Sequence, residues 1–158
     1  MKHLIVALLC SMGLMTAAVA ATPEAELLAP IHQFIDSFNK GDGAAAEAAN
    51  VSTGVVIIDE VPPHLWQGPG AFKAWSKDLD THDKNAGMTD QQVTLGKVNL
   101  TESTVDVAYV AMEAVYSYKQ KGVATREPAH MTFALRKGAG GWKIAAWAWT
   151  GSKPLPAK

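Results

Sequence analysis

Residues 55–79 read VVIIDEVPPHLWQGPGAFKAWSKDL, and this stretch decides how the chain folds. The four β-branched residues at 55–58 extend into a predicted strand at 55–59, which ends as the chain reaches Asp59 and Glu60. A Pro-Pro turn follows, and the next residues predict a helix over 70–80. We therefore expect these acids at the mouth of a cavity, with Glu60 pointing away from Asp59 along the strand.

The elements on either side of this stretch change from helical to strand periodicity. Apolar residues three and four apart predict a helix at Pro23–Asn39, and a run of alanines predicts a short one at 44–50. Residues 83–90 are polar and predict a loop. Three or four strands are then predicted, within 92–100, 104–118, 125–136 and 142–150. Three helices followed by a meandering antiparallel sheet indicate an α+β domain.

The strand predicted at 104–118 is apolar on both faces. Its alternate positions place two apolar sets on opposite sides of the sheet. One face can pack against the helices, and no further helix is predicted to cover the other. We therefore expect a homodimer that forms through the sheet. The two sets are Val105, Val107, Tyr109, Ala111 and Val115 on one face, and Ala108, Val110, Met112, Ala114 and Tyr116 on the other.

The chain begins with a segment typical of an export signal. Residues 1–20 combine Lys2, an apolar run and a small-residue cleavage site ending at Ala20, which predicts a periplasmic or secreted protein. The predicted mature domain spans 21–151, with a flexible tail at 152–158 and no membrane span. The single cysteine would leave with the signal, so the mature fold is expected to depend on its core.

Charge and motif content exclude several classes of function. Once the signal is removed, the chain carries two more acidic than basic residues, which argues against nucleic-acid binding. Its histidines lack metal-ligand spacing, so we predict no metal site. The sequence contains no phosphate loop, nucleotide fingerprint or nucleophile elbow, and we predict no cofactor.

Three segments together resemble the NTF2-like superfamily, in the branch of SnoaL-like cyclases and ketosteroid isomerases. They are IHQFIDSFNKGD at 31–42, VVIIDEVPPHLWQGPGAFKAW at 55–75 and FALRKGAGGWKIAAWAW at 133–149. The resemblance extends from residue 25 to residue 150 and implies a cone in which three helices pack on a curved antiparallel sheet. The fold hosts enzymes, carriers and assembly factors, so it does not imply one activity.

The resemblance also implies candidate catalytic residues. Asp59 stands nine residues before Gly68, the spacing of the general base in ketosteroid isomerases. Phe34 occupies the position of the tyrosine that stabilises the oxyanion in those enzymes. The second oxyanion donor of the family falls near Thr132, with His130 on the same face. A steroid isomerase of the usual kind is therefore not expected, because one lost oxyanion donor costs on the order of a hundredfold to a thousandfold in rate.

Two functions remain open from the sequence. The first is binding of a small apolar or aromatic molecule in a pocket formed by Phe34, Asp59, His64, Trp66, Trp75 and Tyr109. The second is a cofactor-independent isomerase, cyclase or dehydratase in which Asp59 is the base and His130, Thr132 or a tyrosine stabilises the developing charge. A purely dimeric interaction module is a third possibility if side chains fill the cone. Trp142 and Ile144 are expected on the opposite strand face from Trp147 and Trp149.

Overall fold

A computed structural model of the chain describes residues 22–157, so the predicted export signal at 1–20 lies outside the described residues. The fold is α+β, with three helices packed against one curved, mixed sheet. The helices are α1 (Pro23–Asn39), α2 (Gly43–Ala48) and α3 (Ala71–Ala86). The strands are β1 (Val56–Ile58), β2 (Leu65–Trp66), β3 (Met88–Ser103), β4 (Val107–Gln120), β5 (Val123–Gly138), β6 (Gly141–Gly151) and β7 (Leu155–Pro156).

Helix α1 forms where the sequence predicts it. The Thr22 side chain caps its first turn by accepting a hydrogen bond from the Ala25 N–H, and Pro23 occupies the first turn, where its missing N–H costs nothing. At the other end, the Asn39 side chain both donates to the Val93 carbonyl oxygen and accepts from the Val93 N–H. This pair of bonds fixes the end of α1 against β3.

Helix α3 is longer than predicted and removes the loop expected at 83–90. It continues to Ala86 and ends at Gly87, whose positive φ of 68° suits a residue without a side chain. Asp83 lies on the buried stripe that Phe72 and Trp75 begin, so a polar residue occupies a core-facing helical position. The polarity of Asp83 therefore hid the continuing helical period.

The sheet is mixed rather than wholly antiparallel. Strands β3 to β6 form the predicted meander, and their order in the sheet is β2-β1-β6-β5-β4-β3. The exception is β1, which runs parallel to β6 with Val56 opposite Ala146. This pairing places the chain after β1, including Asp59 and Glu60, at one end of the cone.

A bulge in β6 changes which tryptophans share a face. Leu135 pairs with Ile144 and Ala134 pairs with Ala146, so Ala145 is an extra residue without a partner on β5. Ile144 and Trp147 are consequently both buried on the inner face. The expectation that they lie on opposite faces is wrong, because strict alternation fails across a bulge.

Strand β4 divides its side chains between the faces as predicted. Ala108, Val110, Met112 and Ala114 are buried against the helices, whereas Tyr109 lies on the outer face and is 43% exposed. Residues 155–156, inside the segment predicted as a flexible tail, form β7 and pair with Thr125 and Arg126 of β5.

Candidate functional site

The cone encloses a cavity of about 70 Å³ between α1, α3 and the inner face of the sheet. One water needs roughly 10–15 Å³ on this scale, so the cavity holds several waters or a small organic group. A broader cleft of about 410 Å³ borders the cavity and shares Phe38, Trp75, Leu79 and Asp83 with it. The cavity is lined by Phe34, Ile35, Phe38, Asp59, Glu60, Val61, Trp75, Leu79, His82, Asp83, Met88, Val93, Tyr116, Met131, Trp147 and Trp149.

Aromatic rings form much of the cavity wall. Phe34 is 2% exposed and its ring lies 5.3 Å from that of Trp147 and 6.2 Å from that of Trp75. The Trp75 and Trp147 rings meet edge to face at 4.9 Å. Such contacts add roughly 0.5–1.5 kcal/mol per pair beyond the area they bury. The wall is therefore held rigidly by the same residues that build the core.

Asp59 is held at the cavity by two hydrogen bonds. Its Oδ2 accepts from the Trp75 Nε1–H at 2.8 Å, and its Oδ1 accepts from the Val61 N–H at the longer distance of 3.3 Å. Trp75 is buried, so its indole fixes the direction of the carboxylate. One oxygen of Asp59 is therefore held by a short hydrogen bond and the other by a longer one, and the carboxylate lies beside an apolar space.

A pair of carboxyl groups lies next to Asp59. Glu127 is 2% exposed, and its Oε1 accepts from the Trp149 Nε1–H at 3.0 Å. The carboxyl groups of Glu60 and Glu127 meet over Gly151, and two carboxyl groups can share a hydrogen bond only if one of them holds a proton. Burial, followed by the charges of Glu127 and Asp59, raises the pKa of Glu60 to about 7, and burial also raises the pKa of Glu127.

Gly151 makes room for this carboxyl pair. A Cβ on Gly151 would overlap Oε1 of Glu127 and lie 2.6 Å from Oε2 of Glu60. Both carboxyl groups therefore converge on the bare Cα of Gly151. The glycine is required for space, since no positive φ is involved at this position.

Three buried polar atoms at the cavity have no hydrogen-bond partner in the described protein: Oδ1 of Asp83, the hydroxyl of Tyr116 and Nε1 of Trp147. Their residues are 8%, 9% and 3% exposed. The other oxygen of Asp83 accepts from Nε2 of Gln91 at 2.6 Å. Because buried polar groups are nearly always paired, three unpaired atoms around one cavity point to a missing partner.

The pKa values of Asp83 and Tyr116 also differ from their ordinary values. Burial raises the pKa of Asp83 to about 6, although His82 and the bond from Gln91 act in the opposite direction. Burial, and then the charge of Asp83, raises the pKa of Tyr116 above its usual value. Tyr116 therefore keeps its proton and can donate a hydrogen bond at neutral pH.

Of the residues proposed from the sequence, Phe34, Asp59 and Trp75 line the cavity. His64 is exposed in the turn after β1, where its Nδ1 lies 3.2 Å from the backbone oxygen of Asp59. Trp66 is buried outside the cavity, and its Nε1 donates to Asp78.

The two remaining candidates face away from the cavity. Tyr109 and His130 lie on the outer face of the sheet, where His130 pairs with Thr150 and Glu113. Neither can touch a molecule in the cavity. Thr132 shares that outward parity and pairs with Ala111 and Ala148.

Three features of the site were not predicted from the sequence: Asp83, Glu127 and the position of the Glu60 side chain at the cavity. Asp83 continues the i, i+4 spacing from Trp75 through Leu79, which is a helical signal despite its charge. Glu127 alternates with the buried residues Ala129 and Met131, so strand parity would have placed it inside. Glu60 was expected to face away from Asp59, but the chain leaves the strand at Ile58, so alternation no longer applies.

Two absences hold for residues 22–157. No group of three or more metal-ligating side chains in this part of the chain converges on a point that could bind an ion. None of the described helices is both long enough and apolar enough to cross a membrane.

Comparison with known proteins identifies similar sequences and folds. The sequence profile of the SnoaL-like domain family matches residues 27–154. No curated protein sequence gives a significant match.

Several solved structures share the fold at low sequence identity. A ketosteroid isomerase-like protein from Erwinia carotovora atroseptica is 22% identical with a TM-score of 0.64, over 82% of this chain and 96% of that one. An NTF2-like superfamily protein from Salmonella enterica serovar Typhimurium is 14% identical with a TM-score of 0.66, over 85% and 92%. LinA is 11% identical with a TM-score of 0.69, over 85% and 88%. At these identities the likeness concerns the fold alone.

Proposed function

We propose, from the premise that this chain belongs to the SnoaL-like domain family, that it binds a small, largely apolar molecule in the cavity of its cone. The observation that carries the proposal is the set of three unpaired polar atoms, on Asp83, Tyr116 and Trp147, in a wall rich in aromatic and aliphatic side chains. A buried polar group without a partner costs about 1–3 kcal/mol. A ligand with matching donor and acceptor atoms would recover part of that cost.

The dimensions and chemistry of the cavity limit the ligand. A cavity of about 70 Å³ lies below the roughly 300–1,000 Å³ of pockets for drug-sized molecules. The ligand is therefore about the size of one substituted ring, or inserts only one end. A donor on the ligand would pair with Oδ1 of Asp83 and an acceptor would pair with the Trp147 N–H, whereas a lone apolar group would leave both atoms unpaired.

Intrinsic tryptophan fluorescence tests this proposal. Trp75, Trp147 and Trp149 line the cavity, so titration with benzyl alcohol, benzylamine, indole and phenol should give saturable changes in emission for at least one compound. Trp142 lies outside the cavity, and the variant Trp142→Phe should retain the change. The variant Met131→Trp, which adds bulk to the wall, should abolish it. If all four compounds leave the emission of the wild type unchanged, the proposed binding is wrong.

Asp59 supports a second candidate function, that of a cofactor-independent isomerase, cyclase or dehydratase. Its carboxylate lies at the cavity, and the hydrogen bond from the Trp75 indole fixes its direction, as a general base requires. Phe34 offers no hydroxyl, but the unpaired hydroxyl of Tyr116 faces the same cavity from the sheet. We therefore assign the oxyanion donor of this candidate to Tyr116, in place of His130 or Thr132.

Proton exchange can test the second candidate without a known substrate. A general base should catalyse exchange of the α-protons of a small ketone such as phenylacetone in D₂O, measured by NMR. The variants Asp59→Asn and Tyr116→Phe should each lower the exchange rate, by about a hundredfold for a lost oxyanion donor. An Asp59→Asn variant that exchanges as fast as the wild type would remove Asp59 from the mechanism.

We also propose that the chain is exported, on the basis of the signal predicted at 1–20.

We further propose that the chain dimerises through the outer face of the sheet. An apolar row crosses this face, in which Ile58 is 51% and Leu100 is 45% exposed. Ala148, Thr132 and Ala111 lie between them in register. A second copy would cover this surface. Light scattering at micromolar concentration should give a dimer mass for the wild type and a monomer mass for Ala111→Lys, and a monomeric wild type would contradict the proposal.

A further inference from the structure

We propose that the molecule bound in the cavity carries a positive charge, as a protonated amine attached to an apolar body. This inference rests on the proposed binding function and narrows its ligand to one class. Its basis is the placement of four acids, an unpaired oxygen of Asp83, the unpaired hydroxyl of Tyr116 and several aromatic rings around one small space.

Among the described residues, the acidic side chains at the cavity are not paired with lysine or arginine. Asp59, Glu60 and Asp83 line the cavity, and Glu127 lies directly behind Glu60. The three ion pairs found within residues 22–157 join Lys73 to Glu47, Lys84 to Asp80 and Lys119 to Asp90. None of these pairs includes an acid of the cavity. The described part of the chain thus places four acids around the cavity, on opposite walls, without a lysine or arginine within ion-pair distance.

Two unpaired oxygen atoms also favour a ligand that carries several N–H donors. Oδ1 of Asp83 is an acceptor in a residue that is 8% exposed, and it has no partner in the described protein. The hydroxyl oxygen of Tyr116 can also accept, and it is likewise unpaired in a residue that is 9% exposed. An ammonium group offers three N–H donors and no acceptor, so one cation could satisfy both oxygens.

Aromatic rings also lie on the acidic side of the cavity. Tyr116 and Trp149 line it and meet edge to face at 6.1 Å, and Tyr118 packs behind Tyr116 with the two rings 4.8 Å apart. The faces of such rings attract a cation, most strongly where water is excluded. The apolar remainder of the ligand would lie against Phe34 and Trp147 on the other side of the cavity.

A neutral ligand fits these features less well. If Glu60, Glu127 and Asp83 stayed protonated, they would serve as donors for a neutral acceptor, but three donors exceed what one acceptor needs. A cation instead favours the ionised forms of these three acids, whose pKa values burial raises, so its binding should release protons. The titratable and polar groups that face this region are Asp59, Glu60, His82, Asp83, Gln91, Tyr116, Tyr118, Glu127 and Trp149.

Three probes of similar shape and different charge test the inference. Benzylamine is cationic at neutral pH, benzyl alcohol is neutral and benzoate is anionic, and the dissociation constant of each would be measured by calorimetry at pH 5 and pH 8. We expect benzylamine to bind roughly tenfold more tightly than benzyl alcohol at pH 8, because a hydrogen bond to a charged group is worth more than a neutral one. Its advantage should shrink at pH 5, where Glu60 and Asp83 become protonated.

Variants locate the charge that matters. Glu60→Gln should weaken benzylamine binding about tenfold at pH 8 and benzyl alcohol binding by less. Asp83→Asn should likewise weaken benzylamine binding more than benzyl alcohol binding, from the opposite wall. Glu102 is an exposed residue on β3 outside the cavity, so Glu102→Gln is the matched control and should bind both compounds as the wild type does.

The outcomes separate this inference from the function on which it rests. Equal binding of benzylamine and benzyl alcohol, or tighter binding of benzoate, would overturn the cationic ligand while supporting the cavity as a binding site. Loss of benzylamine binding in Glu102→Gln to the same degree as in Glu60→Gln would also overturn it. Failure of these three probes, together with indole and phenol, to bind the wild type would overturn both proposals.

Discussion

Replacement of Gly151 by alanine tests whether the carboxyl pair of Glu60 and Glu127 is built into the fold. The new Cβ would overlap Oε1 of Glu127 and lie 2.9 Å from its Cδ. The end of a flexible side chain usually moves away from such a clash at little cost. Glu127 is 2% exposed, however, and moving it breaks the hydrogen bond from Trp149.

The size of the effect follows from two opposing contributions. Loss of a hydrogen bond to a buried acidic group costs about 1.5–3 kcal/mol. Alanine is better than glycine inside a strand by about 0.5–1 kcal/mol, because it loses less backbone entropy on folding. We therefore expect Gly151→Ala to lower the free energy of unfolding by about 1–2 kcal/mol.

Urea unfolding, followed by circular dichroism, measures this change. Gly138 is the matched control, since it also lies in the sheet and a Cβ there would have no atom within 4 Å. Gly138→Ala should leave the urea midpoint unchanged or raise it, while Gly151→Ala should lower it with the same slope. If the two variants unfold at the same midpoint, the carboxyl pair does not depend on the space at Gly151.

Three further predictions concern stability. Tyr116→Phe should leave the free energy of unfolding unchanged or raise it by up to about 1 kcal/mol, because it removes an unpaired buried hydroxyl. Urea unfolding measures this change, and a clear loss of stability would indicate that the hydroxyl is paired. Phe34→Ala should cost about 3–5 kcal/mol in the same assay, since the ring is fully buried among aromatic neighbours, and a loss below 1 kcal/mol would contradict this packing. The acids with raised pKa values bind more protons in the folded than in the unfolded state, so between about pH 4.5 and 7 they should make the protein less stable as pH rises. Glu60→Gln should flatten that decline in unfolding measured at several pH values, and a variant with the slope of the wild type would contradict the raised pKa of Glu60.

Much of the fold could be predicted because its signals are local. The apolar spacing of α1, the alternation of β4 and the glycine turns between the last strands each follow from a few neighbouring residues. The α+β class and the three helices on a curved sheet are confirmed. The parallel pairing of β1 with β6 joins residues 90 positions apart, such as Val56 and Ala146, and no local pattern specifies it.

The candidate site was predicted only in part for a related reason. Phe34, Asp59 and Trp75 lie in the cavity, since each stands on a well-defined face or strand end. Tyr109 was placed inside although strand parity had already separated it from Tyr116, the tyrosine that does line the cavity. Asp83 was missed because a charge on the inner stripe of a helix reads as a solvent-exposed residue until its neighbours are known.

The central claim is that a small molecule binds in the cone and pairs with its unpaired polar atoms. The most direct test is to record the indole N–H resonances of the five tryptophans by ¹H–¹⁵N NMR while benzylamine is added. We predict that the signals of Trp75, Trp147 and Trp149 move, because all three line the cavity. Trp142 and Trp66 lie outside it and should keep their positions. Shifts confined to Trp142 or Trp66, or no shifts at all, would contradict the claim.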